Sequence, residues 1–211
     1  ADPIRLLCLG GGGYAYPQHL FATRPGSEII AVEIDPGAAR AARAAFGLAE
    51  DAPMEIIHLD ARNYLADAVR QNREAPGSVP PFDFIICDSI SDYTVPYHLT
   101  TREFLEDVRA LLKPDGLFIM NTVDIFESGR FMNAVNQTLR EVFPHVAAVS
   151  TEQDPTQRDT TVWAAGFSEI HPERVPESLR HPERFRGFVL EDRHFEDLRA
   201  RNGECVLTDD W

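Results

Sequence analysis

One stretch decides the fold: Leu6-Leu7-Cys8-Leu9-Gly10-Gly11-Gly12-Gly13-Tyr14-Ala15-Tyr16-Pro17. An apolar run ends there at four consecutive glycines, and a helical pattern begins behind Pro17. This order is typical of a buried strand, a tight turn and a helix N-terminus. Glycines let the backbone turn sharply and approach a ligand, and the free N–H groups of the helix face that ligand. A plain turn without a ligand is the alternative interpretation.

Composition favours one globular domain that binds small molecules. The chain has 211 residues, 44% of them hydrophobic, which is enough for a full core. Its net charge of −14 disfavours nucleic-acid binding, because that needs clustered Lys and Arg. An acidic field attracts a cationic small molecule, although acidic surfaces also simply keep proteins soluble.

The cysteines and the apolar runs bear on location. No apolar run reaches the length of about 20 residues that spans a membrane. Cys8 and Cys87 lie in apolar runs, which is typical of buried free thiols in a reducing compartment. We therefore expect a cytoplasmic domain, with natural residues before Ala1 because the first predicted strand begins at Ile4. No spacing of Cys and His indicates a metal site, and no metal is predicted.

Alternating strands and helices predict an α/β fold with a mostly parallel sheet and helices on both faces. The seven predicted strands are Ile4–Leu9, Glu28–Asp35, Met54–Leu59, Phe82–Cys87, Leu117–Asn121 and a closing antiparallel pair, Val146–Ser150 and Thr160–Gly166. A turn is predicted at Lys113–Gly116. Residues 1–167 form the predicted main domain, and residues 168–211 form a helical extension packed on it, with short helices around Pro176–Arg180 and Phe195–Arg201.

The strand ends predict a binding edge, because parallel sheets bind ligands at the carboxyl ends of their strands. Gly10–Tyr14, Glu33, Asp60 and Asp88 each follow a different predicted strand. Glu33 lies about 20 residues after the glycines, where dinucleotide folds place a carboxylate on a ribose diol. Asp60 is suited to accept from a purine amine or to cap the next helix. Asp35, before Pro36, is more typical of a helix cap.

Asp88 is the main candidate for chemistry, because it follows a run with five apolar residues in six positions, Phe82–Cys87, and emerges at this edge. Asp92 lies four residues further on, and paired carboxylates at a pocket mouth can hold a cationic amine and take its proton. Tyr93 lies in the same loop, where an aromatic face is useful near a cation. Tyr14 is expected either to line the pocket or to pack in the core.

A set of motifs resembles the spermidine synthases over roughly residues 4–165. Its members are Leu9–Gly12, Val32–Pro36, Asp60 with Tyr64-Leu65, Phe82–Ser89, Leu99–Phe104 and Leu112–Gly116. The likeness is greatest to spermidine synthase-like domains that follow transporter-like membrane regions in some bacterial proteins. In that group, Gly-Gly-Gly-Gly-Tyr followed by Pro, and Val95-Pro96-Tyr97-His98-Leu99-Thr100-Thr101-Arg102-Glu103-Phe104, are characteristic, and Leu207–Asp210 resembles the group's tail.

The resemblance implies a Rossmann-like fold of the type found in S-adenosylmethionine-dependent methyltransferases. It implies transfer of an aminopropyl group from decarboxylated S-adenosylmethionine to putrescine, with methylthioadenosine released and no prosthetic group. The implied nucleoside-binding residues are Gly10, Gly11, Gly12, Glu33, Asp60 and Ser89, with Glu33 on the ribose and Asp60 on the adenine. The implied base is Asp88, and the amine site includes Asp92, Tyr93 and Tyr14.

The sequence departs from the family pattern at the amine end. Gly13 stands where the family has an aspartate that binds the amine. The family's Asp-Ser-x-Asp-Pro is replaced by Asp88-Ser89-Ile90-Ser91-Asp92, so the second acid is shifted by one position or replaced by Ser91. We also expect this chain to lack the family's small N-terminal β-domain, which covers the pocket.

Three functions are therefore weighed, led by the aminopropyltransferase. A methyltransferase on the same scaffold would use intact S-adenosylmethionine, and the missing acid at Gly13 favours it because an acid there would repel that ligand's carboxylate. A non-catalytic nucleoside or polyamine sensor attached to a membrane partner would bind without turnover. The expected partners are a nucleoside and a polyamine and not nucleic acid, and the resemblance allows for a membrane domain before Ala1 and for a homodimer.

Overall fold

The computed structural model describes residues 2–89, 94–151, 156–172 and 187–210. It has an α/β fold. The strands are β1 (Arg5–Leu9), β2 (Glu28–Val32), β3 (Glu55–Ile57), β4 (Phe82–Cys87), β5 (Leu112–Ile125), β6 (His145–Ser150), β7 (Arg158–Gly166) and β8 (Phe188–Leu190). The helices are α1 (Ala15–Thr23), α2 (Pro36–Ala45), α3 (Ala61–Glu74), α4 (Arg102–Leu111), α5 (Arg130–Val142) and α6 (Asp192–Asn202).

The chain divides into two compact units. Unit 1 is Ala1–Ser89 with Glu106–Phe118, and unit 2 is Ile90–Leu105 with Ile119–Trp211. The strand order is β3-β2-β1-β4-β5 in unit 1 and β5-β7-β6-β8 in unit 2, and the chain of β5 passes from the first unit to the second. None of the helices in the described part of the chain has the length and apolar character needed to cross a membrane.

Unit 1 contains the parallel part of the fold. β1 pairs in parallel with β2 and with β4, so that Leu6 lies opposite Ile29 on one side and Phe84 on the other. β2 pairs in parallel with β3. A strand buried on both sides reads as a continuous apolar run, which is why β1 was recognisable from Leu6-Leu7-Cys8-Leu9. Residues of β1, β2, α1 and α2 pack together in one core cluster. Its nine buried members are Leu6, Cys8, Tyr14, Leu20, Ile29, Ala31, Ala39, Ala42 and Leu48.

Unit 2 contains the antiparallel part. β6 pairs antiparallel with both β7 and β8. The buried Trp163 on β7 donates its Nε1–H to Thr122 Oγ1 at 2.8 Å, and its ring centroid lies 5.5 Å from that of Phe195 on α6. The C-terminal tail is also fixed within this unit, because the Leu207 N–H donates to Thr138 Oγ1 at 2.9 Å and the Arg102 N–H donates to the Leu207 carbonyl at 2.8 Å.

The predicted fold class is confirmed, and three details are corrected. The described residues contain eight strands and not seven, since the three-residue β8 is too short to show a periodic pattern. It lies in the extension that was expected to be helical. The third correction is the start of β5, which lies at Leu112 and not at the predicted Leu117, so the strand includes the turn predicted at Lys113–Gly116. The chain is still tightly folded at this point, because a Cβ on Gly116 would lie 3.0 Å from the backbone of Lys113.

Other predicted features have a mixed outcome. The helix predicted at Phe195–Arg201 is confirmed within α6, whereas the one around Pro176–Arg180 lies outside the described residues. A cap at Thr100 or Thr101 is expected for α4, and Thr101 supplies it by accepting the Phe104 N–H at 3.3 Å. Cys8 and Cys87 are buried free thiols, as predicted. The division at residue 167 stays a prediction.

Asp83 at the start of β4 joins three strands of unit 1. Its carboxylate accepts the Arg5 N–H from β1 at 2.7 Å and Lys113 Nζ from β5 at 2.7 Å. Burial by itself would raise the pKa of this carboxyl, but the hydrogen bonds from Lys113 and Arg5 outweigh it and hold the pKa below its usual value. A carboxyl whose pKa is lower in the folded than in the unfolded state stabilises the fold when it is ionised.

We expect Asp83→Asn to lower the free energy of unfolding by about 1 kcal/mol at pH 7, because one charge-assisted contact is lost. The contribution of Asp83 is fully present above its unfolded pKa of about 3.9 and is lost as the pH falls through the lower folded value. Urea unfolding at pH 7 and at pH 3 measures this difference. Asp115→Asn, at an exposed acid, is the control; a wild-type advantage over Asp83→Asn that grows on acidification would contradict the account.

Candidate active site

The glycine turn closes against the end of β4. Gly10 has a φ of +100°, and its N–H donates to the Val32 carbonyl at 2.8 Å. A Cβ at Gly10 would lie 2.5 Å from the carbonyl oxygen of Asp88 and 2.8 Å from Ser89 Oγ. Only glycine combines this φ with so close an approach. The turn after β1 and the end of β4 are therefore in direct contact, as the binding-edge prediction requires.

Glu33 is the best-fixed acid of the site. It follows β2, and its own N–H donates to the Ile57 carbonyl at 2.9 Å. One carboxylate oxygen accepts the Gly11 N–H at 2.8 Å and the other accepts the Asp35 N–H at 2.8 Å. An ionised carboxylate has about four acceptor positions, so each oxygen keeps capacity for one further donor. Two adjacent hydroxyls are the ligand groups that match this arrangement.

Asp35 and Asp60 both cap helices. Asp35 Oδ1 accepts the Gly37 N–H at 2.7 Å at the start of α2, where Pro36 takes the first helical position. Asp60 Oδ1 accepts the Asn63 N–H at 3.1 Å at the start of α3. The capping interpretation of each residue is thus confirmed. Capping and ligand contact are compatible for Asp60, because a carboxylate accepts more than one hydrogen bond.

Asp88 directly follows β4 and is exposed. Its N–H donates to the Leu9 carbonyl at 2.9 Å, which fixes its backbone beside the glycine turn. Ser89 Oγ donates to the same Leu9 carbonyl at 2.8 Å, so Ser89 ties the ends of β1 and β4 together. Asp92 and Tyr93, proposed as the second acid and an aromatic contact, lie outside the described residues.

The two thiols nearest the site are not nucleophiles. Burial, with the nearby charge of Asp88 as a smaller cause, raises the pKa of Cys8 to about 12. Burial likewise raises the pKa of Cys87 to about 12. The thiolate is the reactive form, so both residues act as small apolar core groups near neutral pH. Within the described part of the chain, no group of three or more His, Cys, Asp or Glu is placed to hold a metal ion.

Tyr14 belongs to the core beneath the turn. It is 1% exposed and lies in the core cluster of unit 1. This is the packing alternative for Tyr14, and its contact with a substrate stays a prediction. Its ring occupies the space where a side chain on Gly11 would lie, since a Cβ there would be 2.5 Å from the tyrosine oxygen. The second glycine of the turn is therefore required by the tyrosine three residues later.

Gly13 is a glycine for which the structure gives no steric need. Its φ is not positive, and a Cβ there would lie 3.4 Å from Cδ1 of Phe46, an ordinary contact distance. Phe46, directly after α2, is 65% exposed. Neither this contact nor the Gly11 N–H on Glu33 has a signal in the sequence, because each joins positions more than 20 residues apart. The Asp35 N–H is a local donor, two residues after Glu33.

Comparison with known proteins identifies the family. The sequence matches the family model described as the spermine/spermidine synthase domain over residues 2–169. The chain belongs to this family. The resemblance found in the motifs is thus confirmed, while the membrane-fused context stays a prediction.

Proteins with similar sequences are named as two kinds of transferase. The chain is 31% identical over 141 residues to a polyamine aminopropyltransferase of Vibrio vulnificus, covering 67% of this chain and 44% of the relative. It is 30% identical over 186 residues to the eEF1A lysine and N-terminal methyltransferase of Mus musculus, covering 84% of this chain and 24% of the relative. The chain thus spans less than half of the length of either relative.

Solved structures support the same fold. A probable spermidine synthase from Corynebacterium glutamicum matches with a TM-score of 0.77 at 23% identity, covering 100% of this chain and 73% of that one. Human methyltransferase-like protein 13 in complex with SAH matches with a TM-score of 0.65 at 26% identity, covering 99% of this chain and 86% of that one. The Rossmann-like, methyltransferase-type fold is thereby established.

The anchored carboxylate leads to a binding prediction. We expect Glu33→Gln to weaken the binding of methylthioadenosine by about tenfold or more, because an amide presents one acceptor oxygen and no charge to the diol. Isothermal titration calorimetry measures the change. Asp35→Asn is the matched control, since it removes the same charge two residues away and asparagine caps a helix as well as aspartate does. Equal losses in the two variants would contradict a specific role for Glu33.

Proposed function

We propose that this chain binds decarboxylated S-adenosylmethionine at the carboxyl edge of unit 1 and transfers its aminopropyl group to putrescine or a related amine. The observation that carries the proposal is the Glu33 carboxylate, which two backbone N–H groups fix beside the glycine turn. A fixed acceptor pair needs no reorganisation to bind a diol, and preorganisation favours affinity. The family match supports the choice of nucleoside.

The remaining strand ends supply the rest of the proposed donor site. Gly10, Gly11 and Gly12 give the ligand a surface without side chains, and a Cβ at Gly12 would meet no atom within 4 Å. Asp60 at the start of α3 is assigned to the adenine amine. Ser89 is assigned to the donor site because its hydroxyl donates to the carbonyl of Leu9, the residue directly before the glycine turn.

The proposed reaction is a displacement at carbon. The neutral nitrogen of the acceptor amine forms a bond to the methylene carbon beside the sulfonium. The bond between that carbon and sulfur breaks, and its electron pair stays on sulfur, so methylthioadenosine leaves as a neutral thioether. The acceptor amine is an ammonium near neutral pH, so one proton passes from it to a base before the nitrogen attacks, and the product amine keeps its remaining protons as an ammonium. Asp88 is the base assigned to this step, because its exposed carboxylate stands at the end of β4 beside Gly10.

An assay with two donors tests the proposal. We expect methylthioadenosine to form from decarboxylated S-adenosylmethionine only when putrescine is present, as followed by mass spectrometry. Asp88→Asn should lower the rate by about a hundredfold or more, the range typical of a lost general base. It should leave the calorimetric affinity for methylthioadenosine within about twofold of wild type, because the substitution conserves size.

Asp51→Asn, at an exposed acid after α2, is the control for the loss of one negative charge. Binding of methylthioadenosine without any turnover by the wild type would contradict the transferase and favour the sensor. Unchanged turnover in Asp88→Asn would remove Asp88 from the mechanism.

A methyltransferase is the second candidate, and Gly13 is the observation that favours it. No carboxylate stands at this position to repel the carboxylate of intact S-adenosylmethionine. The similarity to the eEF1A lysine and N-terminal methyltransferase covers 84% of this chain and adds support. The space beside Gly13 accepts a Cβ, so the missing acid can be restored without disturbing the turn.

We expect Gly13→Asp to shift ligand preference toward the decarboxylated donor. The new carboxylate should lower the affinity for S-adenosylhomocysteine by about tenfold, because like charges repel at a partly desolvated site, and should leave that for methylthioadenosine nearly unchanged. Competition calorimetry with the two ligands measures the ratio, and Gly13→Asn is the uncharged control. An equal change for both ligands would show that position 13 does not face the amino-acid end of the donor.

A further inference from the structure

We propose that Tyr14 is a positioning residue for the nucleoside site. Its ring supports the Gly11–Glu33 contact, and its hydroxyl, which is unpaired in the free protein, forms a hydrogen bond when a ligand occupies the turn. The identity of the ligand rests on the proposed function. The positioning role rests on the structure of the turn itself.

The first observation is the hydroxyl of Tyr14. Its oxygen is fully buried and has no hydrogen-bond partner among the described residues. A buried hydroxyl without a partner is costly to a fold, and native proteins hold few of them. Phenylalanine would fill the same space without that cost. A tyrosine retained in the core beneath a binding turn therefore calls for a role that phenylalanine cannot perform.

The second observation is the backbone of Tyr14. It has a φ of 54°, and it is the one residue other than glycine with a positive φ in the part of the chain that the structure describes. The left-handed region is unfavourable for a residue with a Cβ. Strain of this kind persists only where surrounding contacts impose it, and it is concentrated at ligand-binding and catalytic positions. Here the Tyr14 N–H donates to the Gly11 carbonyl at 2.8 Å, which closes the turn.

The third observation is what the ring touches. The tyrosine oxygen and ring fill the position that a Gly11 side chain would occupy. The Gly11 N–H is one of the two donors that hold the Glu33 carboxylate. Tyr14 is thus linked to Glu33 through a single residue, Gly11.

The chemistry of the hydroxyl fits a donor. Burial, with the charge of Glu33 next in importance, raises the pKa of Tyr14 above its usual value. The phenol therefore keeps its proton throughout the range in which the protein is assayed. When a diol engages Glu33 and the turn adjusts, the hydroxyl can donate a hydrogen bond that the free protein does not make.

Tyr14→Phe tests this inference through two measurements with opposite expected signs. Removing a buried unpaired hydroxyl should raise the Tm of the free protein by about 2–6 °C. The same variant should weaken the binding of methylthioadenosine and of S-adenosylhomocysteine by similar factors of about 3 to 10, since the two share the ribose. A residue that only packs the core would change the Tm and leave both affinities unchanged.

Tyr16→Phe is the matched control. Tyr16 lies two residues further along α1 and is 47% exposed, so its variant should move neither Tm nor affinity. A lower Tm for Tyr14→Phe would overturn the inference, because it would mean that the hydroxyl already has a partner in the free protein. Unchanged affinity would also overturn it, as would a loss confined to S-adenosylhomocysteine, which would point to the carboxylate and not to the ribose.

Failure of the inference and failure of the proposed function are distinguishable. If the wild type binds neither nucleoside, the proposed function falls, and with it the ligand-linked role of Tyr14. If the wild type binds both and the variant binds equally well, the inference alone falls.

Discussion

The candidate site depends on one acid held by two backbone N–H groups. Glu33 receives the N–H of Gly11 from the glycine turn and the N–H of Asp35 from the start of α2. These bonds join the ends of β1 and β2 and set the direction of the carboxylate before any ligand arrives. A side chain fixed in this way loses little entropy on binding. The remaining features of the edge, from the sterically required Gly10 to the buried Tyr14, keep that contact in place.

The glycines of the turn differ in whether packing requires them. Gly10 and Gly11 are glycines because Asp88 and Tyr14 occupy the space where their side chains would lie. A Cβ on Gly13 would meet its neighbours only at ordinary contact distance, so no steric constraint accounts for the absence of a carboxylate at this position. The two proposed transferase functions therefore use the same proposed nucleoside site and differ at the amino-acid end of the donor. The names of the relatives divide in the same way.

Sequence patterns predicted β1, β2 and β4 well because each is a largely buried apolar run that a glycine or an acid follows directly. They also predicted the caps at Asp35 and Asp60, since a capping residue and its helix are adjacent in the chain. β8 was missed because three residues carry no periodicity. The Gly11 donor on Glu33 and the unpaired hydroxyl of Tyr14 could not be predicted, because both depend on tertiary contacts that no local pattern records. The second acid of the predicted pair, Asp92, stays a prediction.

The central claim is that the Glu33 carboxylate holds the ribose of a nucleoside derived from S-adenosylmethionine. A crystal structure of the protein with methylthioadenosine tests it most directly. The account predicts both ribose hydroxyls at about 2.5–3.0 Å from the two oxygens of Glu33, with the Gly11 and Asp35 N–H groups still bonded to the same carboxylate. A nucleoside bound elsewhere, or bound with its ribose turned away from Glu33, would contradict the account.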